Sequence, residues 1–297
     1  TIYPTISYED PTETDNDYLN RNYVQVNISS TDSGTGLKNI TIFIYNSTNS
    51  SLNSDTLTTS PNLANFTSLA DGTYYFNATT YDHAGNSNST ATRTVIIDTT
   101  DPNIQFTTPT TATGNYSQSY IEANITASDT NLGMITLYLY NASGLVQSNT
   151  STTSPLFVNF TTLPEGTYYL NSTVNDSAGN SNLTETRTLV LDTSLQSITL
   201  NSPVNNYNTT DTAINFNWTA TDNYFTSLTC NLTVDGAINA TGISTTNGTP
   251  ENYTVSGFND ATHNWNITCW DGVNNTNTSE TRTFTIDTTP PALTVDS

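Results

Sequence analysis

The sequence predicts an all-β protein built from three similar domains in tandem. Two observations support this fold class: apolar residues alternate with polar ones along many short segments, and a pattern of about 95 residues occurs three times. Alternation with a period of two indicates strands that are buried on one face. Hydrophobic residues make up only 34% of the 297 residues, which suits several small cores better than one large core.

The repeat is clearest at an Arg-Thr pair near the end of each copy, at Arg93, Arg187 and Arg282. We therefore place the repeats at 1–98, 99–192 and 193–287, and residues 288–297 resemble the first strand of a fourth copy. About seven short strands in each copy predict an immunoglobulin-like β-sandwich. Because only a few residues separate the copies, we expect the three sandwiches to form a linear array.

Inward strand positions can be read from the alternation, and they include both cysteines. We expect Cys230 and Cys269 to form a disulfide between neighbouring strands, although two buried free thiols would also fit. A bridge that closes a loop of about 40 residues would contribute roughly 4 kcal/mol and would indicate an oxidising compartment. By our alignment, the equivalent pairs in the other repeats are Ile42 with Thr80, and Leu137 with Val174.

A turn followed by Gly-Thr-Tyr-Tyr precedes a later strand in the first two repeats. It resembles the corner of immunoglobulin-like sandwiches, in which a tyrosine hydroxyl binds the preceding turn. We expect Tyr75 and Tyr169 to be these corner residues. The third repeat has Asn264 at this position, so its corner must be held differently, and the neighbouring His263 is interpreted as a packing variant of a tyrosine.

The charge balance restricts the possible partners. Five basic residues against 26 acidic ones give a net charge of −21, which disfavours nucleic acid and anionic membrane surfaces as partners. The acidity favours divalent cations, or it serves only to keep the chain soluble. No apolar segment is long enough for a membrane-spanning helix. No catalytic motif is present, so we do not expect an enzyme.

Aspartates recur in loops near the predicted domain junctions, in Asp-x-x-Gly-Asn motifs and after each last strand. Loop carboxylates are ligands that calcium prefers, so calcium is the expected cofactor. The alternative is that these aspartates only stabilise turns. The candidate metal ligands are Asp82, Asp98, Asp101, Asp176, Asp192, Asp271 and Asp287.

The Asn-x-Ser/Thr sequon occurs 24 times among 41 asparagines. Alternation explains part of this excess, because a half-buried strand requires polar, apolar and polar residues in turn. Outward asparagines in an extracellular chain could nevertheless carry sugars. The candidates are Asn27, Asn65, Asn77, Asn124, Asn159, Asn171, Asn217 and Asn266.

The motif Asp-x-Ala-Gly-Asn, followed by Arg-Thr-Val-Ile-Ile-Asp-Thr-Thr-Asp-Pro, resembles the immunoglobulin-like repeats of giant bacterial adhesins and archaeal surface proteins. The resemblance covers all three repeats and implies calcium bound between domains. It would use Asp82, Asp98 and Asp101 at the first junction, Asp176 and Asp192 at the second, and Asp271 and Asp287 at the third. The second junction departs from the motif, because Leu195 and Gln196 replace Asp-Pro.

The sequence thus predicts a structural segment of an extracellular cell-surface filament or stalk. Its partners would be further immunoglobulin-like repeats, either of the same protein or of neighbouring subunits. One alternative is an adhesion module that binds glycans, proteins or other cells. Another is an accessory region of a larger secreted enzyme.

Overall fold

The computed structural model describes residues 2–293, which form 27 β-strands. The prediction of an all-β fold with three tandem sandwiches is confirmed. Each repeat contains nine strands in two sheets, and no strand of one described repeat pairs with a strand of another. No helix long and apolar enough to cross a membrane occurs among residues 2–293.

The first repeat contains β1 to β9. Their bounds are Thr5–Glu9, Asp17–Leu19, Val24–Thr31, Leu37–Asn46, Ser51–Leu57, Asn62–Phe66, Gly72–Asp82, Ser87–Ser89 and Arg93–Ile97. The small sheet has the order β1-β3-β6. The large sheet has the order β2-β9-β7-β4-β5, with β8 paired to β7. All strand pairs are antiparallel except the parallel pair of β2 with β9. Because β1 lies in the small sheet and β2 in the large sheet, the start of the chain is divided between the two sheets.

The second and third repeats have the same topology. Strands β10 to β18 are Asn103–Thr107, Gly114–Tyr116, Ile121–Ser128, Leu132–Asn141, Gly144–Ser151, Leu156–Phe160, Gly166–Asp176, Ser181–Leu183 and Arg187–Leu191. Strands β19 to β27 are Ser197–Ser202, Tyr207–Thr209, Ala213–Thr221, Ser227–Val234, Ala237–Thr246, Pro250–Ser256, Ala261–Trp270, Thr276–Thr278 and Arg282–Ile286.

Each repeat has its own hydrophobic core between its two sheets. On β3, the side chains of Val24, Val26 and Ile28 are fully buried, whereas the residues between them are partly exposed. The third core is the most aromatic, because it encloses Trp218 and Trp265. The alternation in the sequence therefore identified the inward face of these strands.

The repeated arginine holds the first strand of a repeat near the last. The Arg93 guanidinium carbon lies 4.0 Å from the centre of the Tyr8 ring, and its Nη1 donates to the Glu13 carbonyl at 2.7 Å. Arg187 covers Phe106 in the second repeat, at 4.5 Å. The arginine of the Arg-Thr motif therefore contributes to the packing of the first two sandwiches.

The predicted first strand of a fourth repeat lies only partly within the described residues. The structure assigns no strand to 288–293, and residues 294–297 lie outside the described part. In the other repeats, a first strand pairs with the third strand of the same repeat, as β1 does with β3. No such pairing is described for residues 288–293.

Candidate interdomain site

Five residues connect the last strand of one repeat to the first strand of the next, at 98–102 and at 192–196. In the first linker, the Asp71 carboxylate accepts hydrogen bonds from the Thr99 amide at 3.0 Å and from the Thr99 hydroxyl at 2.8 Å. It also accepts one from the Thr100 hydroxyl at 2.7 Å. Because Asp71 lies in the turn before β7, these bonds fix the linker to the repeat that it leaves.

The other two repeats carry an acid at the same place. The Glu165 carboxylate accepts hydrogen bonds from the hydroxyls of Thr193 and Ser194, at 2.8 and 2.9 Å. These bonds lower the pKa of Glu165 below its ordinary value of 4.5. Asp260 accepts from the Thr288 hydroxyl at 2.7 Å in the third repeat. All three linker starts are therefore bound by a carboxylate of the preceding turn.

The Asp-x-x-Gly-Asn motif at the end of β16 forms a turn that reaches the preceding repeat. The Asp176 carboxylate accepts bonds from the backbone amide of Asn180 at 2.8 Å and from its side-chain amide at 2.6 Å. The same side-chain nitrogen donates to the carbonyl oxygen of Asp98 at 2.8 Å. We call residues 176–180 the Asp–Asn turn. It binds the linker to the repeat that the linker enters.

The Asp–Asn turn recurs in the third repeat although its sequence there is changed. The Asn275 side chain binds Asp271 and donates to the Asp192 carbonyl at 2.9 Å. Asn274 adopts a φ of 67°, close to the 89° of Gly179 in the second repeat. Asparagine tolerates this left-handed conformation, so the turn survives the loss of glycine at this position.

The first repeat carries the same turn at the start of the chain, where Asn86 donates to the Ile2 carbonyl at 3.1 Å. This placement contradicts the predicted grouping of Asp82 with Asp98. Strand β7 runs from Gly72, which pairs with Ile97, to Asp82, ten residues further along. At about 3.3 Å per residue, the two aspartates lie roughly 33 Å apart, at opposite ends of the sandwich.

The predicted groupings at the three junctions are therefore wrong, because each combined residues from opposite ends of one repeat. The aspartate at the end of one repeat instead meets the Asp–Asn turn of the next repeat. Asp101 is exposed, and neither it nor Asp287 belongs to a carboxylate group among the described residues. The two groups that the structure forms are Asp98, Asp129 and Asp176, and Asp192, Asp222 and Asp271, each with oxygens within 4.8 Å of one another.

The sequence analysis missed Asp129 and Asp222. Both directly follow the long third strand of their repeat, as Asp32 does in the first repeat. The signal was therefore present in the repeat pattern. It was not recognised because it lies about 50 residues before the Asp–Asn turn in the sequence.

The two carboxylate groups differ in their hydrogen bonds. At the first junction, the Asn131 side chain donates to Asp98 Oδ2 at 2.6 Å, and its backbone amide donates to Asp129 Oδ1 at 2.7 Å. Asp176 is bound on both oxygens by Asn180. An amide donor thus lies among these carboxylates and offsets part of their repulsion.

At the second junction, buried oxygen atoms lack such donors. Asp192 is fully buried, and its Oδ2 has no hydrogen-bond partner among the described residues; the same is true of Asp222 Oδ2 and Gln196 Oε1. Gln196 directs its amide nitrogen to Asp271 Oδ2 instead, at 2.9 Å. Burial raises the pKa of Asp192 above 3.8, and the charges of Asp222 and Asp271 raise it further.

The corner tyrosines are Tyr74 and Tyr168, one residue before those predicted. Their buried hydroxyls donate to the carbonyls of Ala70 and Pro164, both at 2.8 Å. The prediction of Tyr75 and Tyr169 was wrong because these residues have the outward parity, and the Tyr169 side chain is 38% exposed. In the third repeat, His263 Nε2 approaches the Asn259 carbonyl at 3.1 Å, so a histidine occupies the corner.

The predicted disulfide is present between Cys230 and Cys269, which face each other on β22 and β25. The residue pairs that were predicted to occupy the position of the cysteines in the other two repeats were wrong by two residues on one strand. The structure pairs Ile40 with Thr80 and Ile135 with Val174 at the same position. A shift of two residues keeps the same face inward, so alternation alone could not fix the register.

The sequon asparagines fall into two sets by exposure. Asn65 and Asn159 are exposed on the edge strands β6 and β15. The other six are partly buried, and their side-chain amides donate hydrogen bonds within their own repeat. These six are Asn27, Asn77, Asn124, Asn171, Asn217 and Asn266.

The chain belongs to the bacterial Ig-like domain family, whose sequence model matches residues 3–99 and 106–193. These ranges cover more than half of the chain and fall on the first two repeats. The third repeat has the same strand topology. Among curated proteins, none matches this sequence.

Solved structures with related folds align loosely. The fibronectin(III)-like modules of Clostridium thermocellum CbhA are 18% identical, with 63% of this chain and 94% of that chain covered and a TM-score of 0.36. A 1.5-MDa bacterial ice-binding adhesin is 16% identical, with 97% and 98% covered and a TM-score of 0.36. A marsupial T cell receptor is 7% identical, with 94% and 99% covered and a TM-score of 0.43. The family assignment rests on the sequence match.

Proposed function

We propose that this chain is a structural segment of an extracellular cell-surface filament or stalk. The observation that carries the proposal is that each internal linker is hydrogen-bonded on both sides. Asp71 binds the first linker to the repeat that it leaves, and Asn180 binds it to the repeat that it enters. Domains joined by free linkers move relative to one another, whereas contacts on both sides of a short linker restrict such motion.

The outer turns of the first and third repeats have the same hydrogen-bonding groups as the turns at the internal junctions. In the first repeat, Asn86 binds Asp82 as Asn180 binds Asp176, and it donates to the Ile2 carbonyl. At the end, Asp260 binds Thr288 as Glu165 binds Thr193. Because these groups bind a linker at each internal junction, further repeats are the proposed partners.

An extracellular location agrees with three properties of the chain. It belongs to the bacterial Ig-like domain family, contains a disulfide and has a net charge of −21. Disulfides persist mainly in oxidising compartments outside the cytosol. The high charge favours solubility and makes neighbouring chains repel one another.

Calcium at the second junction is part of this proposal. Its ligands would come from Asp192, Asp222 and Asp271, whose carboxylates converge where two repeats meet. The buried Asp192 Oδ2 without a hydrogen-bond partner supports a cation, since an uncompensated buried charge is costly. A hard cation prefers such oxygens, and when bound it would neutralise their charge and join the two repeats. The first junction fits calcium less well, because Asn131 already donates to Asp98.

Immunogold electron microscopy of intact native cells, with antibodies raised against residues 1–297, tests the proposed function. We expect gold particles in rows along filaments or stalks that project from the cell surface. Particles only inside the cells, or antigen found only free in the medium, would contradict it. Antibody that has been absorbed with the purified chain is the matched control.

A further inference from the structure

The outer face of the large sheet carries aromatic side chains in the first repeat. Phe43 and Tyr45 on β4 stack with their ring centres 6.1 Å apart and their planes at 27°. Tyr75 on β7 lies directly opposite Tyr45. We call these three residues the aromatic strip of the first repeat. They are partly exposed and do not belong to the core.

The second repeat has the same strip. Tyr138 and Tyr140 on β13 stack at 5.9 Å and 24°, and Tyr169 on β16 lies opposite Tyr140. Cross-strand aromatic pairs stabilise a sheet by themselves, so packing explains part of this arrangement. Packing does not explain which residue lies beside the ring of Phe43 or Tyr138 at the end of each strip.

That residue is a sequon asparagine in both repeats. Asn77, followed by Ala-Thr, lies opposite Phe43, and Asn171, followed by Ser-Thr, lies opposite Tyr138. The Tyr45 hydroxyl donates to Asn77 Oδ1 at 3.4 Å. The strip and the asparagine therefore form one continuous surface patch.

The side-chain amide of each asparagine retains a hydrogen for a linked sugar. Asn77 Nδ2 donates to the Thr92 hydroxyl at 3.0 Å, and Asn171 Nδ2 donates to the Thr186 hydroxyl at 3.2 Å. An amide nitrogen has two hydrogens, and N-glycosylation replaces one of them. The bond to the threonine can persist in the modified protein and would hold the side chain in place beside the rings.

We propose that Asn77 and Asn171 carry N-linked glycans whose first sugar packs on the aromatic strip of the same repeat. A pyranose ring has one face lined mainly by C–H groups, which can bury apolar area against an aromatic ring. The sugar hydroxyls remain in water on the opposite face. The glycan would then cover the exposed rings and stiffen the large sheet of each repeat.

The third repeat provides a natural control. Asn266 is at the same strand position, is followed by Ile-Thr, and donates to the Thr281 hydroxyl at 3.4 Å. It lies opposite Thr233, not opposite an aromatic residue. Its neighbour Asn264 stands where the other repeats have Tyr75 and Tyr169. A glycan at Asn266 would have the same attachment but no ring to pack on.

The test uses the full chain secreted from a eukaryotic host that adds N-glycans, trimmed enzymatically to a single N-acetylglucosamine at each site. Glycopeptide mass spectrometry should find sugar at Asn77 and Asn171. In NMR spectra, ring currents should shift the protons of these two sugars upfield relative to the sugar at Asn266. Unmodified Asn77 and Asn171 in a chain that is glycosylated elsewhere would overturn the proposal, as would equal sugar shifts at all three sites.

Phe43→Leu keeps an apolar side chain and should preserve the fold while removing the aromatic ring. We expect it to reduce the upfield shift at Asn77, because only the rings of Tyr45 and Tyr75 remain, and to leave the shift at Asn171 unchanged. Removing the sugar with Asn77→Gln should lower the Tm of the first repeat by about 2–5 °C when Phe43 is present, and by less in the Phe43→Leu background. An equal loss of Tm in both backgrounds would overturn the stacking. None of these outcomes depends on whether the chain belongs to a stalk.

Discussion

The side-chain amide of Asn180 donates a hydrogen bond to the carbonyl oxygen of Asp98, which is the first linker residue after the preceding repeat. The same amide also binds the Asp176 carboxylate. One asparagine therefore connects the end of a strand in one repeat with a turn of the next. The aspartate of the motif orients the asparagine, and the asparagine makes the interdomain contact.

Replacing Asn180 with alanine should loosen the first junction without unfolding either repeat. The change removes the bond to Asp98 and leaves Asp176 with fewer donors, so we expect a loss of about 1–2 kcal/mol. Distances between spin labels placed in the first and second repeats should become more broadly distributed. Asn86→Ala is the matched control, because Asn86 binds Asp82 as Asn180 binds Asp176 but donates to Ile2 and not at an internal junction. Equal distance distributions in wild type and Asn180→Ala would contradict the assigned role.

Replacing Asp192 with asparagine should have opposite effects with and without calcium. In a chelator, the variant should be more stable by about 1–3 kcal/mol, because the change removes a buried charge whose Oδ2 has no hydrogen-bond donor. With calcium in excess, only the wild type should gain stability, since a ligand stabilises the state that binds it. Thermal unfolding in both conditions measures this. Asp287→Asn should respond to calcium as the wild type does, because Asp287 is exposed and belongs to neither carboxylate group. A wild-type Tm that is independent of calcium would exclude the proposed site.

His263 should make the stability of the third repeat depend on pH. Burial lowers the pKa of His263, but hydrogen bonds with Asp235 (2.6 Å) and the Asn259 carbonyl (3.1 Å) raise it above 6.5 overall. Protonated His263 therefore contributes its full stabilisation below pH 6.5, and this contribution is lost as the pH rises through the raised pKa. Tryptophan fluorescence follows unfolding of this repeat, because all three tryptophans lie within it.

The control for this pH dependence is His263→Tyr, which introduces the residue type found at this corner in the other repeats. Tyrosine can donate to the Asn259 carbonyl but does not titrate near neutral pH. We expect the variant to lose the fall in stability that the wild type shows as the pH rises above 6.5. The same pH dependence in the variant would show that another group is responsible.

The corner assignment predicts different outcomes for two adjacent tyrosines. Tyr168→Phe should cost about 1 kcal/mol, because the buried ring remains but the hydroxyl no longer donates to the Pro164 carbonyl. Tyr169→Phe should change the stability little, since that side chain is 38% exposed. Differential scanning calorimetry of the two variants measures the difference. A larger loss for Tyr169→Phe would support the corner predicted from the sequence.

The sequence predicted the fold class, the repeats and the inward faces, because these follow from periodicity within the chain. It failed where a contact depends on direction or register. Asp82 and Asp98 looked like neighbours because both flank the last strands, yet β7 and β9 run antiparallel and place them at opposite ends. The residue paired with Thr80 was misplaced by two, since a shift of two residues leaves the alternation unchanged.

The carboxylate groups were harder to predict than the fold because they join residues that are distant in sequence. Asp129 and Asp176 belong to different loops of one repeat, and Asp98 comes from the repeat before. Finding them required the pairing of the strands and the placement of adjacent repeats. Residue type and spacing indicated that loop aspartates are repeated but not which of them meet.

Small-angle X-ray scattering of the complete chain tests the central claim of a stiff, extended segment most directly. A repeat of about 95 residues has a diameter of roughly 35 Å, so three repeats in line predict a maximum dimension of about 100 Å. We expect this dimension, with the pair-distance profile of a rod, in calcium-containing buffer. A single compact particle of this length would be about 50 Å across. A maximum dimension near that value, or the profile of freely jointed domains, would contradict the account.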